Sequence, residues 1–390
     1  MQSNMPDKPK RSTLFTIFYL AYFASFGNPL IIPLYPQIMS HFQISYLEIG
    51  LLISLFALPG VFVIPVLGFL QDKLGRRLVL VGALVLCFVA SFGLVVSNNF
   101  FLFLLCRTVQ GLSVTPLEAM SHTLITDNYT GEERQLNISR NTSALFIGVA
   151  TFPLLVTAML YAFGWRAALL LPCIMVLPLL LLCLKLPMRY EHAHFQWDSY
   201  RANLKHLLTS ARLLGLFGIR ISLALIMFAT IHTYMPFLVM DKLGGGGHLP
   251  GIYFSLYSGA MSVGSLSLGW FIARFFAPVS AMGANLLMAA AVLGFALAPS
   301  VQLLVPALLL CGFGYGLLSA LNVAYIARNT TEDTRGTVLS LSSTVFRVAQ
   351  VTGPPLAGLL FGLGGFSLLY CGAALAALAL LALTRTAFRP

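Results

Sequence analysis

The chain has 390 residues, of which 58% are hydrophobic and 9% are charged, and its formal net charge is +11. A soluble domain is roughly 45–50% apolar and about a quarter charged. The composition therefore excludes an ordinary soluble protein. The repeated long apolar runs indicate membrane-spanning helices, because the strands of membrane barrels are short and alternate in polarity.

Twelve apolar stretches are long enough to cross a bilayer, and they are numbered here as spans 1 to 12. They predict an all-α polytopic membrane protein. Their predicted limits are 13–36, 47–70, 78–97, 100–126, 136–162, 166–186, 212–239, 250–273, 279–299, 301–327, 337–362 and 366–384.

A polar stretch, 187–211, follows the sixth span, and we interpret it as a linker between two six-helix halves, 1–186 and 212–390. Six glycines are each followed by another glycine 201 residues later, which predicts an internal duplication. Parallel halves with a cargo site between them near the middle of the membrane are one way in which transporters are built. The matched glycines are Gly50 and Gly251, Gly68 and Gly269, Gly82 and Gly283, Gly93 and Gly294, Gly111 and Gly312, and Gly164 and Gly365.

The distribution of lysine and arginine predicts the orientation of the chain. Of the 23 such residues, the candidate outer loops hold only Arg166 and Lys242, and three arginines fall inside spans. The remaining 18 lie at the termini, in the opposite loops or at the span ends beside them. The positive-inside rule then places both termini and the linker in the cytoplasm. The net charge is explained by this topology and by contact with anionic lipid, and not by nucleic-acid binding.

The cytoplasmic turn between spans 2 and 3 is highly charged for this chain, with the sequence GFLQDKLGRR from Gly68 to Arg77. Its two glycines, the second of them Gly75, permit close backbone approach and tight turning. We predict a latch between helix ends rather than a simple positive anchor. The candidate latch residues are Gly68, Asp72, Lys73, Gly75, Arg76 and Arg77, with Asp127 at the inner end of span 4 as the countercharge for Arg76.

The second half repeats this turn incompletely. Asp72 is matched by Ala273 and Gly75 by Phe276 at the same 201-residue offset. We therefore expect the latch to be asymmetric and stronger in the first half.

Ionisable side chains inside spans are costly, so each is a candidate for a cargo or proton site. Arg107 lies in span 4, Arg220 in span 7 and Arg347 near the middle of span 11. Glu118, in the inner half of span 4, is the one clear intramembrane carboxylate, and His122 follows it by one turn on the same face. Three cations against one acid predict a cavity for anionic or carboxylate-bearing cargo.

The predicted roles divide these residues between cargo and proton. The candidate cargo contacts are Arg107, Arg347, Arg220, Asn28 and Tyr35, and the candidates for proton coupling are Glu118, His122 and Arg107. The alternatives are structural roles for Arg107 and Arg347, snorkelling by Arg220, and a simple polar pair of Glu118 and His122 at the cytoplasmic mouth. Because Glu118 lies further toward the cytoplasm, we expect it not to neutralise both Arg107 and Arg347, so that water and backbone carbonyls must serve when no cargo is bound.

Other chemistry is missing from the sequence. It contains no Gly-x-x-x-x-Gly-Lys-Ser/Thr loop for ATP, and its six cysteines are scattered through apolar spans without paired spacing. We therefore predict no cofactor and no metal, with a small molecule, protons and membrane lipids as the partners of a monomer.

Several motifs carry a resemblance to a known family. GFLQDKLGRR resembles the loop signature Gly-x-Leu-x-Asp-Arg-x-Gly-Arg-Arg of the major facilitator superfamily, and RTVQGLS, from Arg107, resembles its fourth-helix motif. GEERQLN, FGWRAA and IPLYPQI are similar to segments of its twelve-span drug/proton antiporters. The resemblance implies two six-helix bundles that rock about a central cavity, driven by an ion gradient. It also implies that Asp72 and Arg76 help to close the outward-facing state against span 11.

Span 5 departs from the antiporter pattern Gly-x-x-x-Gly-Pro-x-x-Gly-Gly. It reads GVATFPLLVT, in which Gly148 and Pro153 remain while Phe152, Val156 and Thr157 replace glycines. We predict proton-coupled efflux of a small amphipathic or anionic molecule across a bacterial cytoplasmic membrane. Uptake of a carboxylate, sugar or siderophore by the same fold is the alternative. A membrane enzyme or receptor is disfavoured because no nucleophile–base constellation is present.

Overall fold

The computed structural model describes residues 11–186, 210–330 and 332–388, with the side chains of all of these except Asp72 and 332–335. Every regular element in this described part is helical, so the predicted all-α fold class is confirmed. Most of the predicted linker, 187–209, lies outside the described residues. Its last two residues belong to the next span, because Ser210 caps the helix that Ala211 begins.

Besides one short 3₁₀ turn, Ile32–Leu34, the first half contains nine α-helices among the described residues. They are α1 (Arg11–Ala24), α2 (Gly27–Ile31) and α3 (Tyr35–Phe42) in span 1, α4 (Tyr46–Leu74) in span 2, α5 (Arg76–Val96) in span 3, α6 (Phe100–Asn128) in span 4, α7 (Gly131–Phe163) in span 5, and α8 (Trp165–Ala168) with α9 (Leu171–Leu184) in span 6.

The second half begins with a span that is partly π-helical. Its elements are α10 (Ala211–Met227), a π-helical turn Phe228–Tyr234, α11 (Met235–Phe237) and a second π-helical turn Leu238–Lys242 in span 7, α12 (Leu249–Leu266) and α13 (Leu268–Phe275) in span 8, α14 (Ala277–Leu297) in span 9, α15 (Val301–Arg328) in span 10, and α16 (Glu332–Ala387) in spans 11 and 12.

The count of spans agrees with the prediction once bends are considered. Within the described ranges, nine helices are long and apolar enough to cross a membrane, and two bent helix pairs raise this number to eleven. Helix α16 has 56 residues, far more than the ~20 that cross a bilayer. Its backbone is non-helical at Gly364 and Gly365, where φ of Gly365 is +60°. This break divides α16 into spans 11 and 12.

Capping side chains mark the first residues of two helices at positions that the 201-residue repeat makes equivalent. Span 4 begins after Asn99, whose Oδ1 accepts a hydrogen bond from the Phe101 amide at 2.7 Å. Span 10 begins after Ser300, which lies 201 residues later and whose Oγ accepts from the Leu303 amide at 3.5 Å. Side-chain oxygens at this position satisfy amides that the helix itself leaves free.

The duplication also appears in the packing inside each half. Gly111 lies directly against the backbone carbonyl of Phe56, and Gly312 lies in the same way against the carbonyl of Tyr257. The two contacts are related by the 201-residue offset at both partners. Neither position has room for a Cβ, so these glycines bring spans 2 and 4, and spans 8 and 10, into close contact.

The two halves meet through two pseudo-symmetric helix pairs. Span 2 packs on span 11 and span 5 packs on span 8. Close contacts lie near the ends of both pairs that the predicted topology places outside, here called the outer ends, where Gly358 meets the side chain of Leu47 and Gly251 meets that of Thr157. This end of the interface between the halves is therefore closed.

Candidate functional site

Arg107 is completely buried and takes part in a network of protein groups. Its guanidinium donates hydrogen bonds to the carbonyl oxygens of Leu52 (3.2 Å) and Gly27 (2.9 Å) and to the side chains of Gln110 (2.5 Å) and Asn28 (3.4 Å). These partners join spans 1, 2 and 4. As expected, backbone carbonyls serve Arg107, and this arrangement favours a structural role over direct contact with cargo.

Arg347 pairs with a carboxylate of the opposite half. Its Nη2 lies 2.7 Å from Oε2 of Glu118, and its Nη1 donates to Oε1 of Gln350 at 3.0 Å. Glu118 therefore pairs with Arg347 and not with Arg107, which agrees with the expectation that it does not neutralise both arginines. The carboxylate is brought to the arginine because spans 4 and 11 face each other across the interface between the halves. Residues 229 positions apart thus form one ion pair.

The two members of the ion pair differ in exposure. The side chain of Glu118 is 43% exposed, whereas that of Arg347 is 12% exposed. Glu118 is therefore the more accessible member, and water or protons would reach the pair from the Glu118 side.

Arg220 lies on the opposite half from Glu118 and has few partners. Its Nη1 donates to Ser319 Oγ at 2.9 Å, and its guanidinium carbon lies 4.6 Å from the ring centroid of Phe346. Its Nε is buried and has no hydrogen-bond partner in the part of the chain that the structure describes. Sequence reasoning identified Arg220 and missed Ser319 and Phe346, although Phe346 directly precedes Arg347 in the chain.

The other predicted site residues lie in different surroundings. Asn28 belongs to the Arg107 network. Tyr35 is fully buried near the outer end, where its ring stacks on Phe237 at 5.8 Å between centroids. His122 is half-buried one turn from Glu118. The structure thus brings Glu118, Arg347 and Arg220 toward one region and leaves Asn28 and Tyr35 apart from it.

The charged turn between spans 2 and 3 makes some, but not all, of the contacts that the sequence predicts. Arg76 and Asp127 form an ion pair, which confirms the countercharge expected for Arg76. Gly75 has φ of +84°, the left-handed conformation that a tight turn requires of glycine. The close backbone approach expected at Gly68 is absent in this conformation, since a side chain there would meet no described atom within 4 Å.

The remaining residues of the turn have less specific surroundings. Arg77 Nη2 donates to the carbonyl of Leu186 at 2.8 Å, and Lys73 Nζ lies 5.8 Å from the centroid of the Phe69 ring. The side chain of Asp72 lies outside the described part of the structure. The roles of Asp72 and of the whole turn in gating stay predictions.

An aromatic cluster closes the outer end of the interface between the halves. Tyr46 of span 2 packs its ring 4.6 Å from that of Phe237 and 5.3 Å from that of Phe361. Its hydroxyl donates a 2.6 Å hydrogen bond to Oδ2 of Asp241 at the outer end of span 7. We call Tyr35, Tyr46, Phe237, Asp241 and Phe361 the outer gate. Because it crosses the halves, it must break whenever the outer end opens.

Removing the hydroxyl of Tyr46 is expected to favour opening at the outer end. The change Tyr46→Phe retains the ring contacts and removes the hydrogen bond to the Asp241 carboxylate, a loss of about 1 kcal/mol or more that shifts a balanced equilibrium about fivefold. Distances between spin labels on the outer loops of spans 3–4 and 9–10, measured by double electron–electron resonance, report this shift.

Tyr161→Phe is the matched control for this experiment. Tyr161 also lies at the outer end and faces His248 of the other half, with 6.2 Å between ring centroids. Its hydroxyl has no hydrogen bond to protein among the described residues, so the control should leave the distances unchanged. Equal distance distributions in Tyr46→Phe and wild type would show that the hydrogen bond does not hold the gate.

Comparison with known proteins identifies one family over nearly the whole chain. A family model described as Major Facilitator Superfamily matches residues 14–276 and 221–390. A relative from Staphylococcus aureus, the quinolone resistance protein NorA, is 31% identical over 100 residues, which are 26% of this chain and 26% of NorA. The multidrug transporter AQR1 of Candida glabrata is 27% identical over 146 residues, 37% of this chain and 25% of AQR1. The chain thus matches about a quarter of the length of these curated relatives.

The fold is also found among solved structures. A variant of the nucleoside transporter NupG superimposes with a TM-score of 0.77, and the match covers 97% of this chain and 99% of that one at 14% sequence identity. This likeness shows that the two chains share a fold.

Proposed function

The chain is a member of the major facilitator superfamily, and on that premise we propose that it is a proton-coupled exporter of small anionic or amphipathic molecules. We further propose that it is a monomer of the bacterial cytoplasmic membrane with both termini in the cytoplasm. Members of this superfamily are transporters and not, in general, enzymes. The efflux direction is supported by the relatives NorA and AQR1, whose names describe quinolone resistance and multidrug transport.

The observation that carries this proposal is the ion pair between Glu118 and Arg347. It joins span 4 of the first half to span 11 of the second half while the outer gate is closed. Transport by alternating access requires the halves to separate at one end and close at the other. A charge pair that crosses their interface is therefore placed to influence which end is open.

Protonation of Glu118 would alter this contact. A neutral carboxyl loses most of its attraction for a guanidinium, and the loss is larger in a poorly hydrated interface than in water. Proton binding then weakens the contact between the halves, and proton release restores it. The exposed side of Glu118 gives the proton a route to the carboxylate.

Gradient-driven flux in proteoliposomes tests the proposed function. Because NorA is named for quinolone resistance, a fluorescent quinolone is the first cargo to use. An outward-directed movement that depends on an inward proton gradient supports the proposal, and collapse of the gradient with an ionophore should abolish it. Movement of the quinolone and protons in the same direction would instead identify an importer.

The topology gives a separate prediction. A reporter active only in the cytoplasm, fused after Pro390, is expected to be active, because the basic loops and both termini lie on one side of the membrane. The matched fusion at the same position carries a reporter that is active only outside the cytoplasm. Activity of that second fusion would show that the orientation is reversed.

A further inference from the structure

The charges between the halves do not cancel. Glu118 and Arg347 neutralise each other through their 2.7 Å contact, which leaves the charge of Arg220 without a carboxylate partner in the described part of the chain. Phe346, which packs against the Arg220 guanidinium, directly precedes Arg347 in the chain, so these three charged groups lie in one region and are treated as one cluster. Two guanidinium groups and one carboxylate leave a net charge of +1 for a ligand to neutralise.

Arg347 is poorly suited to hold an anion while Glu118 is ionised. A cargo carboxylate would have to displace Glu118 from Arg347 and leave the Glu118 charge unpaired within span 4, which is costly. Arg107 already donates four of its five N–H groups to protein acceptors in a fully buried position, so it has little capacity left for a ligand. Arg220 is the remaining one of the three arginines inside spans.

Arg220 has unused hydrogen-bonding capacity. A guanidinium offers five N–H donors, and the contact of Nη1 with Ser319 uses one of them. The Nε donor is buried and has no hydrogen-bond partner among the described residues, although buried donors in proteins usually have one. A carboxylate oxygen is the acceptor that suits the planar fork of arginine best.

Aromatic rings lie directly beside this cation. The guanidinium of Arg220 packs over Phe346 at 4.6 Å, and the Phe346 ring meets that of Phe228 edge-on at 5.4 Å. Phe228 in turn begins the π-helical turn of span 7, a type of distortion that is frequent at functional sites. A flat aromatic ligand can extend the stacking of these rings while its acidic group reaches the guanidinium.

We propose that Arg220, Phe346 and Ser319 form the cargo site and that the cargo class is a planar aromatic monocarboxylate. The proposal deepens the proposed function and rests on it. Arg220 binds the carboxylate, Phe346 contacts the aromatic part, and Ser319 fixes the orientation of the guanidinium. One negative charge on the ligand matches the net charge of the Glu118, Arg347 and Arg220 cluster.

Binding of three small probes to the purified full-length protein tests the ligand class. Isothermal titration calorimetry is performed with 2-naphthoate, with its neutral amide, and with cyclohexanecarboxylate, which retains the charge without the aromatic ring. The wild-type protein should bind 2-naphthoate about tenfold or more tightly than either of the others, because a hydrogen bond to a charged group and an aromatic contact are each lost. No binding of 2-naphthoate, or equal binding of all three, would overturn the assignment.

Variants of the site test the residues. Arg220→Gln should weaken 2-naphthoate binding about tenfold or more, Arg220→Lys should weaken it less, and Phe346→Leu should remove the preference for the aromatic probe over cyclohexanecarboxylate. Arg166→Lys is the matched control, since Arg166 packs over Trp165 at 5.2 Å on the outer surface. Size-exclusion profiles confirm that each variant is folded. Unchanged binding by Arg220→Gln would refute the site.

Binding and flux separate this inference from the proposed function. If 2-naphthoate binds in the predicted manner but is not moved by a proton gradient in proteoliposomes, the cargo site stands and proton-coupled export fails. If a quinolone is exported but 2-naphthoate does not bind, export stands and the assigned ligand class fails.

Discussion

Replacing Glu118 by glutamine is expected to abolish the dependence of transport on the proton gradient. Glutamine keeps an oxygen that accepts a hydrogen bond from Arg347, but it cannot bind or release a proton. The contact with Arg347 is 2.7 Å long in the wild-type protein. In the variant, the side chain at this position would stay neutral throughout the cycle, so protons could no longer alter the contact. The protein should fold, and a cargo such as a fluorescent quinolone should move only down its own concentration gradient.

The measurement is quinolone flux in proteoliposomes with and without an imposed pH gradient. In wild type the gradient should drive accumulation, and in Glu118→Gln the accumulation ratio should fall to about one, as expected without coupling. Glu48→Gln is the matched control, because Glu48 lies at the outer start of span 2, where its carboxylate accepts a 2.7 Å hydrogen bond from the Ser45 amide. Full gradient dependence in Glu118→Gln would move the coupling role to His122 or another group.

Replacing Arg107 by alanine is expected to destabilise the protein so strongly that most of it is no longer folded. The change removes the hydrogen bonds that join Gly27 and Leu52 to span 4, and it opens a cavity beside Phe56, whose ring centroid lies 4.0 Å from the guanidinium carbon. Each buried acceptor left without a partner costs about 1–3 kcal/mol, and the cavity adds to this loss. Arg107→Lys should be less severe because it keeps the charge and part of the volume.

Fluorescence-detected size-exclusion chromatography after stepwise heating measures this effect. Arg107→Ala should lose its monodisperse peak at a clearly lower temperature than wild type. Arg166→Ala is the matched control, since that partly exposed arginine also donates a hydrogen bond to a side chain, that of Asn98 at 2.8 Å. If Arg107→Ala is as stable as wild type and instead fails to bind cargo, Arg107 acts as a cargo contact and its structural role is refuted.

The sequence by itself determined the features that depend on local properties of the chain. Hydrophobic run lengths predicted the spans, because crossing a bilayer requires about 20 apolar residues whatever the neighbouring helices are. The 201-residue repeat predicted equivalent positions in the two halves, and Asn99 and Ser300 indeed cap equivalent helices. The pair between Arg76 and Asp127 was also predictable, since both residues had to lie at the inner ends of neighbouring spans.

The repeat could not predict the partners of residues that occur in only one of the two halves. Arg107 is matched by Leu308, and Arg347 by Phe146, so the duplication gives no information about their partners. The cost of burying an arginine shows that it needs partners but does not identify them. Carbonyls of spans 1 and 2 satisfy Arg107, whereas a carboxylate of the opposite half satisfies Arg347.

Only the tertiary structure decided these pairings, because they depend on which face of each helix meets which neighbour. Glu118 and Arg347 are 229 residues apart, and Tyr46 and Asp241 are 195 apart, yet both pairs lie within hydrogen-bonding distance across the interface. Along one helix, spacing fixes the relative direction of side chains. The rotation and depth of one helix relative to another are set by packing, such as the close contact of Gly111 with Phe56, and no single segment of the sequence contains that information.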